Sequence, residues 1–296
     1  MIVVLLGPTA SGKTDLACAL ADELPVDLIS MDSAMVYKGM DIGTAKPSAS
    51  ELRRYPHHLI DILDPTETYS AADFVQDADA LVRASLQSDR IPLIVGGTML
   101  YARAFREGMA DLPSADVEVR AIGWPALHQE LMAIDPEAAA GIHPNNHQRL
   151  QRALEVIEIS GRPLSSQWRE SGVNATRRLG SKVVEVCVDR ERRIVHQQIE
   201  QRFDAMLALG FIDEVRGLHE RADMHAGLPS MRAVGYRQIW QHLEGETDLP
   251  LMRERALAAT RALAKKQQTW LRAWDHVERL SGSTQQMTQQ VLRRLG

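Results

Sequence analysis

The first hundred residues alternate short apolar runs with longer amphipathic stretches. The runs predict strands at 2–6, 27–31, 58–63 and 91–95, and the periodicity between them predicts helices at 13–23 and 71–87. Strands that are apolar throughout and separated by helices are typical of a parallel sheet covered on both faces. The predicted class is therefore α/β, with ligands expected at the carboxyl ends of the strands.

Beyond residue 102 the pattern becomes mostly helical. It predicts one further strand at 183–188, helices from 190 to about 243 and from 251 to about 274, a short strand at 276–280, and a tail from 281 that is either a weak amphipathic helix or a frayed end. We expect a core at 1–110, completed by about 180–190 and 262–282, with a helical insertion at about 111–179, a further helical region at about 191–261, and a tail at 283–296.

Composition narrows the class of protein. The 296 residues are 45% hydrophobic and 25% charged, as in ordinary globular proteins. Cys18 and Cys187 are the only cysteines, so the chain has neither a disulfide framework nor a C-x-x-C metal site. No apolar run approaches the roughly 18 residues of a membrane span. We expect a cytoplasmic protein without membrane contact, and a monomer by default.

Charge is unevenly distributed. The net charge of −5 argues against nonspecific binding to nucleic acid, but residues 251–279 carry seven basic side chains against three acidic ones. A solvated helix face accounts for that excess as well as an RNA-binding surface does.

A complete G-x-x-x-x-G-K-[ST] phosphate loop follows the first predicted strand. In this motif backbone N–H groups and the next helix's positive end face phosphate oxygens, the lysine adds a point charge, and the hydroxyl at its end can bind Mg²⁺. A turn that binds nothing is the alternative. The predicted phosphate-binding residues are Gly7, Pro8, Thr9, Ala10, Ser11, Gly12, Lys13 and Thr14, of which Thr14 is the metal candidate.

Two other predicted strand ends carry polar groups that face the same crevice. Asp32 follows the second strand, where a carboxylate could orient Mg²⁺ or accept a proton, although an aspartate there also commonly caps the next turn. Thr98 follows Gly96 and Gly97, which allow close backbone approach to a ligand, and helix N-capping is its other reading.

Several motifs together resemble the bacterial tRNA dimethylallyltransferases, also called tRNA isopentenyltransferases. The likeness runs through the whole chain in one order: GPTASGKT at Gly7, DSAMVYKGMDIGTAKP at Asp32, HHLIDILDPTETYSAADF at His57, VGGTMLY at Val95, HQRLQRALEV at His147, DRERRIVHQQIEQRFDAML at Asp189, RAVGYRQIW at Arg232 and AKKQQTWLRAW at Ala264. Many members carry Gln where this chain has Met35 and Gly where it has Met99. The zinc finger of some eukaryotic relatives is absent.

The resemblance implies a P-loop, nucleotide-kinase-like sheet with large helical insertions. It implies transfer of the dimethylallyl group of dimethylallyl diphosphate to N6 of the adenosine 3′ of the anticodon, with Mg²⁺ as cofactor and the anticodon stem-loop as partner. Asp32 would be the base, and Thr98 would position the amine. The implied tRNA contacts are Asp32, Ser33, Ala34, Met35, Thr98, Arg120, Gln148, Arg149, Leu150, Gln151, Arg152, Arg232, Ala233, Val234, Gly235, Tyr236, Arg237, Lys265, Lys266 and Arg272.

Three other functions share parts of this pattern. A small-molecule kinase of the shikimate or gluconate type has the same phosphate loop, but it needs far fewer residues and has no evident use for a basic C-terminal helix. An adenylate isopentenyltransferase of the cytokinin-forming type would act without RNA. A non-catalytic tRNA-binding protein would not require Lys13, Thr14 and Asp32 together.

Overall fold

The computed structural model describes residues 1–108, 112–113, 116, 118–119, 123–124, 126–169 and 172–295. The chain forms two compact units, one of Met1–Arg103 with Leu179–Gly296 and the other of Ala104–Arg178. No helix within these described residues is long and apolar enough to cross a membrane.

The first unit is built on a six-stranded parallel sheet, which confirms the predicted α/β class. The sheet order is β3-β2-β4-β1-β5-β6. The strands are β1 (Ile2–Leu6), β2 (Val26–Met31), β3 (His57–His58), β4 (Ile91–Gly96), β5 (Val183–Val188) and β6 (Glu278–Leu280).

Helices surround the sheet and form all the regular structure of the second unit among the described residues. They are α1 (Lys13–Glu23), α2 (Ala49–Arg54), α3 (Ala71–Gln87), α4 (Met99–Glu107), α5 (Leu127–Ile134), α6 (Pro136–Ala140), α7 (His147–Ser160), α8 (Leu164–Arg169), α9 (Ala175–Leu179), α10 (Arg192–Ala208), α11 (Phe211–His219), a 3₁₀ turn (Ser230–Arg232), α12 (Tyr236–Leu243), α13 (Leu249–Arg272) and α14 (Thr284–Leu295). Residues 191–261, for which the sequence pattern predicts a further helical region, belong to the same compact unit as the sheet.

The centre of the sheet brings three strand ends together. β1 is buried along its whole length and lies between β4 and β5, with Leu6 paired to Gly96. β2 pairs with the other side of β4, where a Cβ on Gly96 would lie 2.0 Å from the Met31 carbonyl oxygen. Only glycine permits this approach, and the segments that follow β1, β2 and β4 therefore emerge side by side.

The predicted strand at 58–63 is wrong beyond its first residue. Leu59 and Asp61 have φ angles of +64° and +55°, a left-handed conformation that ends a strand. The following residues fold back onto the segment after β2, where the N–H groups of Ile62 and Leu63 donate to the Val36 carbonyl. An apolar run alone does not reveal this change of direction.

The predicted helix from 190 to about 243 is also wrong as a continuous element. α10 ends before Gly210, whose φ of +97° places it in the left-handed region, and α11 starts directly after it. By contrast, the tail is an ordered helix. Met287 and Val291 of α14 are fully buried in the core that also contains α1 and β5.

The second unit has its own apolar core. Its buried members include Leu131 of α5 and Leu150 and Val156 of α7. The buried Glu155 carboxylate accepts a hydrogen bond from the Asp116 backbone N–H and forms an ion pair with Arg152 at 3.1 Å. A charge buried in this way needs such partners, so Arg152 contributes to the internal structure of the unit.

Candidate functional site

The loop between β1 and α1 has the backbone of a phosphate site. Gly12 caps α1 with φ +86°, and no side chain occupies the capping position. The first N–H groups of an 11-residue helix are therefore free of side-chain caps, and they carry the positive end of its dipole. The sequence motif and the local geometry agree on the position of the anion.

Ser11 supplies a second indication of an anion. Its Oγ atom is buried and has no hydrogen-bond partner among the described residues. A Cβ on Gly7 would lie 2.7 Å from this Oγ, so the hydroxyl fits only because residue 7 is glycine. A buried hydroxyl without a partner costs free energy that a phosphate oxygen would recover.

Lys13 and Arg202 are two of the cations that contact this loop. Lys13 Nζ is 3.4 Å from the Pro8 carbonyl oxygen, and the Arg202 guanidinium of α10 donates to Thr9 Oγ1. Burial lowers the pKa of Lys13 to about 8, while Asp32 opposes the shift and Arg202 adds to it. Burial also lowers the pKa of Arg202, again opposed by Asp32. The protein holds two positive charges at a cost that a bound diphosphate would offset.

Asp32 follows β2, Thr98 follows β4, and both line the same cavity. Thr98 Oγ1 accepts a hydrogen bond from the Ser33 backbone N–H at 3.1 Å. Asp32 Oδ1 accepts from the N–H groups of Ala34 at 2.9 Å and Met35 at 3.3 Å. Asp32 therefore caps the turn that follows β2, which is the alternative role predicted for it from the sequence. Asp32 also lines the cavity.

These groups share one cavity of about 530 Å³ within the first unit. One face of α13 lines it, because Leu263, Gln267 and Trp270 recur at helical spacing. Leu263 and Trp270 are 38% and 36% exposed, so both present accessible apolar surface to a ligand in this cavity. Phe203 and Met206 of α10 add further apolar surface near the two cations.

Glu214 of α11 holds the segment that forms another wall of this cavity. Its carboxylate accepts hydrogen bonds from the backbone N–H groups of residues 41, 42 and 43 at 2.9, 2.7 and 3.1 Å. It also accepts one from the Tyr236 hydroxyl. A Cβ on Gly43 would lie 2.0 Å from the Phe211 ring, so this wall is packed as closely as the backbone permits.

The predicted tRNA contacts within the first unit divide into two groups. Those that line the cavity are Asp32, Ser33, Ala34, Met35, Thr98, Arg232, Ala233, Val234, Gly235, Tyr236 and Lys266. Tyr236 itself is fully buried with its hydroxyl bonded to Glu214, so it offers no face for stacking. Arg237, Lys265 and Arg272 are exposed and do not line this cavity.

The predicted contacts at 148–152 lie on α7 of the second unit. Arg149 is exposed, whereas Leu150 is fully buried in the core of that unit. The side chain of Leu150 is therefore committed to packing, and the guanidinium of Arg152 is committed to Glu155 and to the Pro113 carbonyl. Arg120 lies outside the described residues.

Few side chains in this cavity could bind a metal ion directly. No cluster of three or more His, Cys, Asp or Glu suited to a metal ion occurs among the described residues. Thr14, at the start of α1, and Asp32 both line the cavity. Mg²⁺ commonly keeps several waters and binds phosphate oxygens with only one or two protein groups, so this sparse set fits it.

Sequence reasoning missed three residues of the site: Arg202, Glu214 and Gln267. Arg202 lies in the matched motif QRFDAML, but its acidic neighbours in sequence suggest a surface ion pair. The charged neighbours of Glu214 in α11 likewise suggest a surface ion pair. Their roles depend on partners far away in the sequence that only the fold brings close.

Comparisons with known proteins agree with this geometry. The family model described as IPP transferase matches residues 35–274, and one described as isopentenyl transferase matches 1–61. The chain is 51% identical to tRNA dimethylallyltransferase 2 of Hahella chejuensis over 98% of its length and 93% of that protein. It is 51% identical to tRNA dimethylallyltransferase of Chromohalobacter salexigens over 99% of its length and 96% of that protein.

Solved structures give the same result. The chain resembles full-length tRNA isopentenylpyrophosphate transferase from Bacillus halodurans with a TM-score of 0.73 and 35% identity, covering 99% and 95% of the two chains. It resembles a eukaryotic dimethylallyltransferase acting on tRNA with a TM-score of 0.78 and 25% identity, covering 91% of this chain and 69% of that one. The resemblance drawn from the sequence motifs is thus confirmed, and the chain belongs to the tRNA dimethylallyltransferase family.

Proposed function

We propose that this protein transfers the dimethylallyl group of dimethylallyl diphosphate to N6 of the adenosine 3′ of the anticodon in tRNA, releasing diphosphate. Family membership makes it a prenyltransferase that acts on tRNA. The observation that carries the finer assignment is the single cavity that joins a cationic phosphate loop to apolar side chains and to Asp32 and Thr98. We further propose that it works in the cytoplasm as a monomer.

The diphosphate leaves with the electrons of the breaking C–O bond. Lys13, Arg202 and the N–H groups at the start of α1 face the oxygens on which that charge develops. Fixed donors of this kind stabilise a leaving group without reorganising during the reaction. Phe203, Met206 and Leu263 would cover the five-carbon chain and exclude water from the reacting carbon.

The adenosine amine attacks the carbon that diphosphate leaves, and it then loses a proton. Asp32 is the proposed acceptor of this proton, and Thr98 the group that positions the amine. An adenine amine is a weak nucleophile, so we expect positioning to contribute more than proton abstraction. The base has to leave its stack to reach the cavity, as in other enzymes that modify bases.

Mg²⁺ is the proposed cofactor. Thr14 and the diphosphate oxygens would hold it, and it would supply charge neutralisation at the leaving group.

Label transfer tests the proposal directly. The protein is incubated with Mg²⁺, radiolabelled dimethylallyl diphosphate, and either unmodified tRNA with A next to the anticodon or free AMP. Label in the tRNA alone is the expected result. Label in AMP would favour the adenylate isopentenyltransferase, and label in neither would reject prenyl transfer and direct the next assay to ATP and kinase activity.

The affinity for dimethylallyl diphosphate should depend on pH through Lys13. Its pKa of about 8 in the free protein means that it is mostly protonated below pH 8 and mostly neutral above it. Because the diphosphate needs the charged form, binding above pH 8 requires proton uptake, and Kd should rise toward about tenfold per pH unit. Calorimetric titration from pH 7 to 9.5 measures this, and a constant Kd would contradict it.

The exposed lysines of α13 should contact tRNA phosphates. Lys265 and Lys266 are exposed, and no salt bridge pairs them within the described part of the chain. Replacing both with alanine should weaken tRNA binding and reduce its salt dependence by about one unit of slope for each lost phosphate contact. Binding is measured from 50 to 300 mM salt, with Lys182→Ala as a control before β5. An unaltered slope would show that these two lysines contact solvent and not tRNA phosphates.

A further inference from the structure

Gln267 joins two parts of the site that follow different strands. Its Oε1 accepts a hydrogen bond from the Thr9 backbone N–H at 2.8 Å, and its Nε2 donates to the Gly97 carbonyl oxygen at 2.8 Å. Thr9 lies in the phosphate loop after β1, and Gly97 lies in the turn after β4. Because one partner is a donor and the other an acceptor, the orientation of the amide is fixed.

The contact is buried and closely fitted. Gln267 is 8% exposed, so removing its amide would leave both backbone partners without a hydrogen bond where little water reaches them. A Cβ on Gly97 would lie 2.6 Å from Gln267 Nε2 and 2.9 Å from the Gly7 carbonyl oxygen. Glycine at position 97 therefore permits the helix, the turn and the loop to meet.

The position of this bridge gives it a role in the reaction. The register of β1 with β4 runs to Leu6 and Gly96, so the loop and the turn begin where strand pairing ends. Gln267 connects the loop to the turn just beyond these last paired residues. On one side Thr9 Oγ1 accepts from Arg202, and on the other Thr98 Oγ1 accepts from the Ser33 N–H. The bridge therefore spans the anion-binding groups and the turn that faces the acceptor amine.

We propose that Gln267 is a positioning residue that sets the spacing between the diphosphate loop and the Thr98 turn for prenyl transfer. The inference rests on the proposed function. It assigns no contact between Gln267 and either substrate. Displacements of about 1 Å between reacting groups can cost up to a hundredfold in rate, so a side chain that acts only through backbone geometry can still affect the chemical step.

The test compares Gln267→Met, which keeps the chain length and removes both hydrogen bonds, with Gln268→Met, the same change one residue along α13. Single-turnover transfer to tRNA is measured with both substrates saturating, together with Kd for tRNA and Tm. Gln267→Met should lower the single-turnover rate by about tenfold with tRNA affinity within about twofold, whereas Gln268→Met should match the wild type. A split between rate and affinity is not expected from a general loss of helix packing.

A second variant protects the test if Gln267→Met folds poorly. Gln267→Glu keeps an acceptor for the Thr9 N–H and, when ionised, cannot donate to Gly97, so it should also transfer slowly. Wild-type rates in either folded Gln267 variant would overturn the proposal, as would equal losses in Gln267→Met and Gln268→Met. Failure of the wild type to label tRNA would reject the proposed function instead, and the two outcomes are therefore distinguishable.

Discussion

Replacing Lys13 with alanine is expected to reduce prenyl transfer by about a thousandfold or more, because the variant loses a fixed positive charge at the leaving group. The ammonium group lies at the start of α1 beside the Pro8 carbonyl, and Arg202 is another cation at the same loop. Arg202 and the N–H groups of α1 would still bind diphosphate weakly, so the loss should appear in the rate as well as in Kd.

Affinity for tRNA should remain nearly unchanged in Lys13→Ala, since the lysine lies at the phosphate loop. The Tm should equal or exceed that of the wild type, because burial disfavours the charged lysine in the free protein, as its lowered pKa indicates. The matched control is Lys182→Ala. Lys182 directly precedes β5, at the amino ends of the strands, whereas the phosphate loop lies at their carboxyl ends. A large loss of tRNA binding in Lys13→Ala would refute the proposal that the loop binds diphosphate while Lys265 and Lys266 of α13 contact the tRNA.

Much of the fold could be predicted because its elements are encoded locally. The observed bounds of β1, α1, α3 and β5 are those that apolar runs and helical periodicity predict. The apolar run overextends β3 because residues 59 and 61 take left-handed conformations that such a run does not signal. Helical periodicity also does not divide the helices after β5 correctly, because it does not mark the break at Gly210.

The site could be predicted only where its residues are contiguous or follow a strand. The phosphate loop is one segment, and Asp32 and Thr98 each come directly after a buried strand, so parallel-sheet geometry is enough to place them together. Arg202 and Gln267 contact the loop at Thr9 from 193 and 258 positions away. No local pattern distinguishes an arginine or glutamine with such a partner from one in contact with solvent.

Replacing Asp32 with asparagine is expected to lower the single-turnover rate by about a hundredfold or more, since a positioned general base contributes about a hundredfold to ten-thousandfold. Asparagine is the informative substitution because its Oδ1 can still accept from the N–H groups of Ala34 and Met35. The turn after β2 should therefore survive, and only the charge and the proton acceptor are lost. The rate is measured at pH 6 as well as at pH 7, because losing the Asp32 charge removes a contribution that raises the pKa of Lys13, and the lower pH keeps the lysine protonated in both proteins.

Asp32→Ala, compared at the same pH, separates the two readings of this residue. Alanine removes the cap together with the carboxylate, so a structural role alone predicts a slow Asp32→Ala beside an Asp32→Asn that works like the wild type. A role as base predicts that both variants are slow, with dimethylallyl diphosphate affinity in Asp32→Asn equal to or better than that of the wild type, since a negative charge facing the diphosphate is gone. Full activity in Asp32→Asn would assign the proton to water and leave Asp32 as the cap that shapes the cavity.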